Sequence, residues 1–272
     1  MNKTGISWTD LTWNPVSGCT KVSPGCQNCY AEAWSHRWNR SFEVTLHPER
    51  LKEVRNVPYG SKVFVNSMSD LFHENVPFGF IEQVFNACSS RPDVIFQILT
   101  KRPQRAAAFM KYMYRKRWVD GVADLNGDSL QRFGPPPHWD DGVYEPNIWI
   151  GTSVEDEKVK WRIEWLKKIR SYAAWNLFVS FEPLIGDIGT VDFSISDASY
   201  PGKVIWIIVG GESGPHHRPM KVEWARNLVQ QAKEQGVAVW MKQMGGLRPG
   251  GELSDFPEDL RFREFPGGEE GN

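Results

Sequence analysis

The sequence has no long apolar run, no strong net charge and little cysteine, and each absence excludes a class of protein. No apolar run in the 272 residues approaches the roughly 18 residues of a membrane span, and the first residues contain no signal-peptide hydrophobic stretch. The 32 basic residues nearly balance the 33 acidic ones, so the overall charge does not attract nucleic acid or an anionic membrane, although a local basic patch is compatible with it. These absences predict a cytoplasmic protein that does not bind membranes.

Cysteine is scarce but clustered. Three of the four cysteines, Cys19, Cys26 and Cys29, lie within eleven residues, and Cys88 falls on a predicted helix as a small buried residue. In a reducing cytoplasm, clustered thiols are more often metal ligands than disulfides. Structural zinc takes four ligands and an ordinary iron–sulfur cluster takes four thiolates. A site with three cysteines therefore recruits a fourth ligand or leaves one coordination position open for chemistry.

Short apolar runs alternate with longer amphipathic segments along the chain. The runs, each typical of a strand buried on both faces, are residues 11–13, 62–66, 94–99, 147–150, 177–180, 204–209 and 237–241. Helical periodicity covers residues 80–87, 105–116, 156–170 and 222–235. This alternation predicts an α/β fold with a parallel (β/α) barrel, partial or full, similar to a TIM barrel.

The pattern predicts one domain with irregular additions. We expect residues 1–245 to form a single barrel domain, with excursion loops at 120–145 and 187–203 where the periodicity stops. Residues 246–272 are rich in glycine and glutamate and are predicted to be an irregular C-terminal tail.

Polar residues follow the predicted strands, at the edge where parallel α/β folds place their chemistry. Singly, each has a structural explanation, such as a helix cap or a surface charge, but jointly they favour a ligand at the mouth of a barrel. The glycine pair predicts a close backbone approach with free N–H groups for an anion. The candidates are Asn66, Ser67, Asp70, Lys101, Thr152, Ser153, Glu155, Glu182, Gly210, Gly211 and Glu212.

The cysteine motif and several other segments resemble known proteins. The spacing C-x6-C-x2-C, followed by Tyr30, is similar to the C-x3-C-x2-C motif with which radical S-adenosylmethionine (SAM) enzymes hold a [4Fe–4S] cluster, with a longer first gap. The segments that carry a closer resemblance, to the three-cysteine-motif phage protein family, are residues 8–10, 12–15, 18–26, 99–103, 151–155, 180–184 and 210–214. That family is regarded as radical-SAM-like.

The resemblance implies a radical-SAM-like enzyme with a [4Fe–4S] cluster and SAM as cofactors. Cys19, Cys26 and Cys29 would bind three irons, SAM would chelate the fourth, and Tyr30 would lie near the adenine. By rim position, Asn66, Ser67, Asp70, Thr152, Ser153, Glu155, Gly210 and Gly211 would contact SAM, and Lys101, Glu182 and Glu212 would be catalytic. The enzyme would need an electron donor and would generate a 5′-deoxyadenosyl radical to modify an unidentified substrate, for which a nucleotide or nucleic acid is the hypothesis.

The alternative is a zinc-stabilised binding protein without redox chemistry, in which His36 supplies the fourth ligand of a tetrahedral site. Tryptophan bears on both hypotheses, because four of the 13 tryptophans, Trp8, Trp13, Trp34 and Trp38, flank the cysteine loop. There a flat ring either shields a cluster or stacks on a base.

Overall fold

The protein is built around an eight-stranded, mostly parallel sheet. A computed structural model describes residues 1–116, 146–196, 198–248 and 250–268. The loop predicted at 120–145 lies outside the described residues. The strands are β1 Asn2–Lys3, β2 Leu11–Trp13, β3 Val16–Ser17, β4 Thr45–Leu46, β5 Lys62–Val65, β6 Ile95–Thr100, β7 Ile148–Ser153, β8 Asn176–Phe181, β9 Ser194–Ile195, β10 Gly202–Lys203, β11 Trp206–Gly210 and β12 Ala238–Gln243.

The helices are α1 Tyr30–Arg37, α2 Phe78–Ser89, α3 Pro103–Arg115, α4 Trp161–Lys167 and α5 Val222–Glu234. Proline occupies the first position of α3, where its missing N–H has no partner to lose, and Gly236 with φ +63° follows α5. The seven predicted strands and four predicted helices are confirmed with small shifts at their ends. The exception is residues 156–170, where α4 is flanked by short 3₁₀ segments.

The main sheet has the order β1-β2-β5-β6-β7-β8-β11-β12, and only β1 is antiparallel to its neighbour. Successive parallel strands are therefore neighbours, which places their right-handed crossovers on one side of the sheet. The sheet curls around its other face into a half-barrel, and β1 and β12 remain its two edges. The α/β class and the curled parallel sheet are thus confirmed.

The two faces of the sheet bury different side chains. The convex face packs against the helices through aliphatic residues and phenylalanines. The concave face is filled by an aromatic cluster of Trp8, Phe64, Trp149, Phe178, Trp206, Trp240 and Phe265. Trp206 lies at its centre, with ring centroids of Trp8, Trp149 and Trp240 at 6.0, 6.0 and 6.2 Å.

The segment predicted as a tail contributes to this cluster. Phe265 stacks on Trp149 with ring centroids 5.0 Å apart, and Arg263 pairs with Trp240 on the edge strand β12. The segment 187–203 contains the antiparallel pair β9–β10 and buries Phe193. None of the helices in the described residues combines the length and apolar character that a membrane crossing requires.

Candidate functional site

The three clustered cysteines lie at the carboxyl end of the first parallel strand. The chain leaves β2, forms β3 and enters the loop of residues 19–29, and Cys29 is the residue before α1. Gly18, at φ +80°, turns the chain into this loop, and a Cβ there would lie 2.1 Å from the Glu43 carbonyl oxygen. All three cysteines are partly exposed. The predicted position of the motif, at the carboxyl edge of the sheet, is confirmed.

The first part of the loop is fastened by Arg102 and Asp70, both 5% exposed. Arg102 donates through Nη2 to the carbonyl and hydroxyl oxygens of Thr20, at 3.2 and 2.9 Å, and through Nη1 to Cys19 Sγ at 3.5 Å. The Asp70 carboxylate accepts from Arg102 Nη1 at 3.1 Å. Its other donors are the Phe72 N–H, the Thr100 hydroxyl and the Lys101 N–H, at 3.0, 2.7 and 3.1 Å.

His73 supports the same part of the loop. Its Nδ1 accepts the Asn75 N–H at 3.1 Å, so the ring proton lies on Nε2, which is 2.9 Å from the Thr20 hydroxyl oxygen. Burial, and then the positive charge of Arg102, hold the pKa of His73 below its ordinary value. The imidazole is therefore a neutral donor that orients Thr20.

The middle of the loop is fastened by Glu155, which is fully buried. Its Oε1 accepts the Ser23 hydroxyl and, at 3.2 Å, the Gly25 N–H. Its Oε2 accepts from Arg162 Nη1 at 2.8 Å, and the same nitrogen donates to the Ser153 carbonyl oxygen at 3.0 Å. A buried ion pair between Glu155, which follows β7, and Arg162 in α4 thus holds the residues that lengthen the first gap of the motif.

The last part of the loop is fastened by Glu212, which is 4% exposed. Its Oε2 accepts from Asn28 Nδ2 at 2.9 Å, and Arg218 donates to both carboxylate oxygens, at 2.9 Å from Nε and 2.5 Å from Nη2. Burial alone would raise the pKa of Glu212, but the hydrogen bonds from Arg218 and Asn28 outweigh it and the pKa lies below its ordinary value. Glu212 is therefore an anion that anchors the residue before Cys29.

Buried charged groups thus hold three successive parts of one loop: Glu155 and Glu212 bond to it directly, and Asp70 acts through Arg102. The sequence predicted Asp70, Glu155 and Glu212 as rim residues, and their direct contacts to a cofactor or substrate stay predictions. It did not identify Arg162, Arg218 or Asn28. For Arg162 the sequence did contain a signal. Arg162 falls on the apolar side of a predicted helix, seven residues after Glu155, and a buried charge there needs a partner of opposite charge.

The concave face changes character toward the carboxyl ends of the strands. Along β7 the inward positions are Trp149, Gly151 and Ser153, and along β8 they are Phe178 and Ser180, which Glu182 follows just after the strand. A Cβ at Gly151 would lie 2.6 Å from the Phe178 ring, so the small residue is required there. An aromatic floor therefore gives way to small and polar residues at the edge beside the cysteine loop.

Two of the predicted catalytic residues lie at this edge. Glu182 accepts through Oε1 from Lys242 Nζ at 2.5 Å, and both side chains are less than 20% exposed. Lys101 lies two positions after Leu99, a residue that packs against the aromatic cluster. The Lys101 Nζ has no partner among the described residues. Glu182 is thus paired with a lysine, whereas Lys101 has no described partner, and the catalytic roles of both stay predictions.

The glycine pair has a structural role that the sequence did not show. The Gly211 N–H donates to the Gln243 carbonyl oxygen at 2.9 Å and is not free for an anion. A Cβ at Gly211 would lie 2.5 Å from the Met244 carbonyl oxygen, and one at Gly210 would contact the Glu182 side chain at 3.5 Å. Glycine is therefore needed at position 211 for close packing of the chain after β11 against the end of β12, whereas position 210 has room for a Cβ at ordinary contact distance.

Of the remaining candidates, some form side-chain hydrogen bonds with other described residues and Asn66 does not. Thr152 is buried and donates to the Thr100 carbonyl oxygen at 2.9 Å. The Tyr30 hydroxyl donates to the Ser67 carbonyl oxygen, which ties the start of α1 to the loop after β5. Asn66, at φ +62°, is 2% exposed, and both side-chain polar atoms lack a hydrogen-bond partner among the described residues.

The three thiols do not form a complete set of metal ligands among the described residues. Burial, and then the charge of Asp70, raise the pKa of Cys19 to about 11, so without metal it is a thiol. No three His, Cys, Asp or Glu side chains in the described ranges lie close enough together to hold a metal ion. Metal binding by Cys19 therefore requires the thiol to lose its proton.

Comparison with known families shows where the chain belongs. The profile of the family described as "Protein of unknown function (DUF5131)" matches residues 3–259, nearly the whole chain, so the chain belongs to this family. Neither a comparison with curated proteins nor one with solved structures finds a match.

Proposed function

We propose that the protein is a radical-SAM-like iron–sulfur enzyme whose partial barrel holds a [4Fe–4S] cluster on Cys19, Cys26 and Cys29. One observation carries this proposal: the buried carboxylates of Glu155 and Glu212, together with the Arg102 guanidinium held by Asp70, fix the cysteine loop at the carboxyl edge of the parallel sheet. A zinc knuckle that only stabilises the chain needs no such placement. A cluster with three thiolates leaves one iron for a ligand at that edge.

The residues present suit such a cluster. Thiolates are the ordinary ligands of iron–sulfur clusters, and hydrogen bonds to their sulfurs tune the potential. Arg102 Nη1 lies 3.5 Å from Cys19 Sγ and supplies such a donor. The amide of Asn66 is buried and has no partner in the part of the chain that the structure describes, and a buried polar group in that state calls for a ligand or water.

When bound, the cluster and SAM would supply a 5′-deoxyadenosyl radical, and the protein would position the substrate and exclude water. Lys101 binds a carboxylate or phosphate group, because it is the cation at the edge that no described residue pairs. Glu182, held by Lys242, accepts hydrogen bonds from ribose hydroxyls or an ammonium group. Asp70, Glu155 and Glu212 act as positioning residues for the loop.

Metal content tests the proposal. Protein purified without oxygen and reconstituted with iron and sulfide should contain about four irons per chain and cleave SAM when reduced. Cys26→Ala should lose both properties. Cys88→Ala is the matched control, because Cys88 is buried in the helix-side core and should leave both intact. Colourless protein that retains one zinc under these conditions would establish the zinc-stabilised alternative instead.

A further inference from the structure

Helix α1, which begins at the cysteine site, buries its small residues and exposes its large ones. Its buried residues are Ala31 and Ser35. Tyr30, Trp34 and Trp38 are 57%, 47% and 60% exposed. Surface helices ordinarily turn their apolar stripe toward the core. This reversal places three large aromatic side chains on the surface of the described chain.

The three aromatic side chains form one stripe. They are spaced four residues apart, which places them along one side of a helix about 12 Å long. The ring centroids of Trp34 and Trp38 are 6.2 Å apart. Tyr30, at the inner end, hydrogen-bonds to Ser67 beside the sheet edge. The stripe therefore leads from the candidate site onto the surface.

Positive charge accompanies this stripe. The Arg40 guanidinium lies 5.5 Å from the centre of the Trp34 ring, and neither Arg37 nor Arg40 forms an ion pair within the described ranges. The acid within α1, Glu32, is already paired with Lys21 at 2.8 Å. The outer part of the helix is thus aromatic and cationic without a compensating carboxylate.

We infer that Trp34, Trp38, Arg37 and Arg40 form a binding surface for single-stranded nucleic acid that feeds the candidate site. Exposed aromatic rings stack on bases of any sequence, and interleaved cations contact the phosphates. A protein partner would also use tryptophan and arginine, but the acid of α1 is already paired while Arg37 and Arg40 form no ion pair with a described residue, which favours a polyanion. That the bound strand is the substrate rests on the proposed function, whereas binding itself does not.

The test uses the full chain and fluorescein-labelled single strands of about 12 nucleotides, one RNA and one DNA, in an anisotropy titration. Trp34→Ala and Trp38→Ala should each weaken binding by about fivefold or more with an unchanged salt dependence. Arg37→Gln and Arg40→Gln should each reduce the slope of log affinity against log salt by about 0.7. Comparison of the two strands identifies which one the surface takes.

Tyr59→Ala and Arg55→Gln are the controls, because Tyr59 is 88% exposed and both residues precede β5, whereas α1 follows the carboxyl end of β2. Failure of both strands to bind, or equal binding by the tryptophan variants, would overturn the inference. So would a wild-type dimer in light scattering that Trp34→Ala dissociates. Iron content and SAM cleavage are measured separately, so protein that binds a strand but takes up no iron contradicts only the proposed function.

Discussion

The Gly25 N–H donates to the Glu155 carboxylate at 3.2 Å and thereby joins the middle of the cysteine loop to the end of β7. A Cβ at Gly25 would lie 2.6 Å from Glu155 Oε1. Glu155 has no room to swing away, because it is fully buried and its other oxygen accepts from Arg162. Glycine is required at position 25 by this close approach.

Gly25→Ala should therefore displace the loop. We expect the free energy of unfolding to fall by about 1–3 kcal/mol, as for other overpacked buried sites, and iron uptake on reconstitution to fall with it. Urea unfolding and iron analysis measure the two effects. Gly79→Ala is the matched control, since Gly79 lies in α2 with open space around its Cα, and alanine there should stabilise slightly. Normal iron uptake by Gly25→Ala would show that the contact does not position the loop.

Glu155→Gln should destabilise the protein by about 3–5 kcal/mol, because Arg162 would remain buried without a counter-charge. The double variant Glu155→Met with Arg162→Met should recover most of this loss, since apolar pairs of similar volume often replace buried ion pairs. Iron uptake should stay low in the double variant, because Ser23 and Gly25 still lack their acceptor. A double variant that is stable and takes up iron normally would show that Glu155 does not position the cysteine loop.

The strands and helices were predictable because a strand covered on both faces needs a continuous apolar run, and β7, β8 and β11 have one. The degree to which the sheet closes into a barrel was not predictable. It depends on strand tilt and stagger, which periodicity does not encode. The concave floor is also completed by Trp8 and Phe265, from the two ends of the described chain, and no local pattern connects them.

The sequence predicted that the candidate site lies at the carboxyl edge of the sheet, but it did not predict the direction in which each side chain points. Glu155 and Glu212 follow strands as Glu182 does, yet they bond to the loop while Glu182 pairs with Lys242. Asp70 also follows a strand and bonds to Arg102, which contacts the loop. Their partners decide this difference. Arg218 reaches Glu212 after a turn whose shape the sequence does not specify, and Asn28 lies 184 positions from Glu212.

Acid should weaken the Glu212 anchor. The pKa of Glu212 in the folded protein lies below its ordinary value, so the unfolded chain binds the proton first as the pH falls. The contribution of Glu212 to stability is present above the unfolded pKa of about 4.3 and is lost as the pH falls through the folded pKa. Glu212→Gln should therefore reduce the pH dependence of the unfolding free energy in this range. Glu223→Gln, on the exposed side of α5, is the control, and equal pH profiles for wild type and Glu212→Gln would contradict the assignment.

Lys101 should contribute to the affinity for SAM and not to the free energy of unfolding. Because its ammonium group has no partner among the described residues, Lys101→Gln should change the unfolding free energy by less than about 0.5 kcal/mol. Loss of a charged hydrogen bond to a carboxylate should weaken SAM binding about tenfold or more, as measured by equilibrium dialysis with reconstituted protein. Lys111→Gln, on the exposed side of α3, should leave the affinity unchanged. If Lys101→Gln lowers iron content as well, Lys101 supports the cysteine loop, and if it changes neither iron nor affinity, the lysine does not contact SAM.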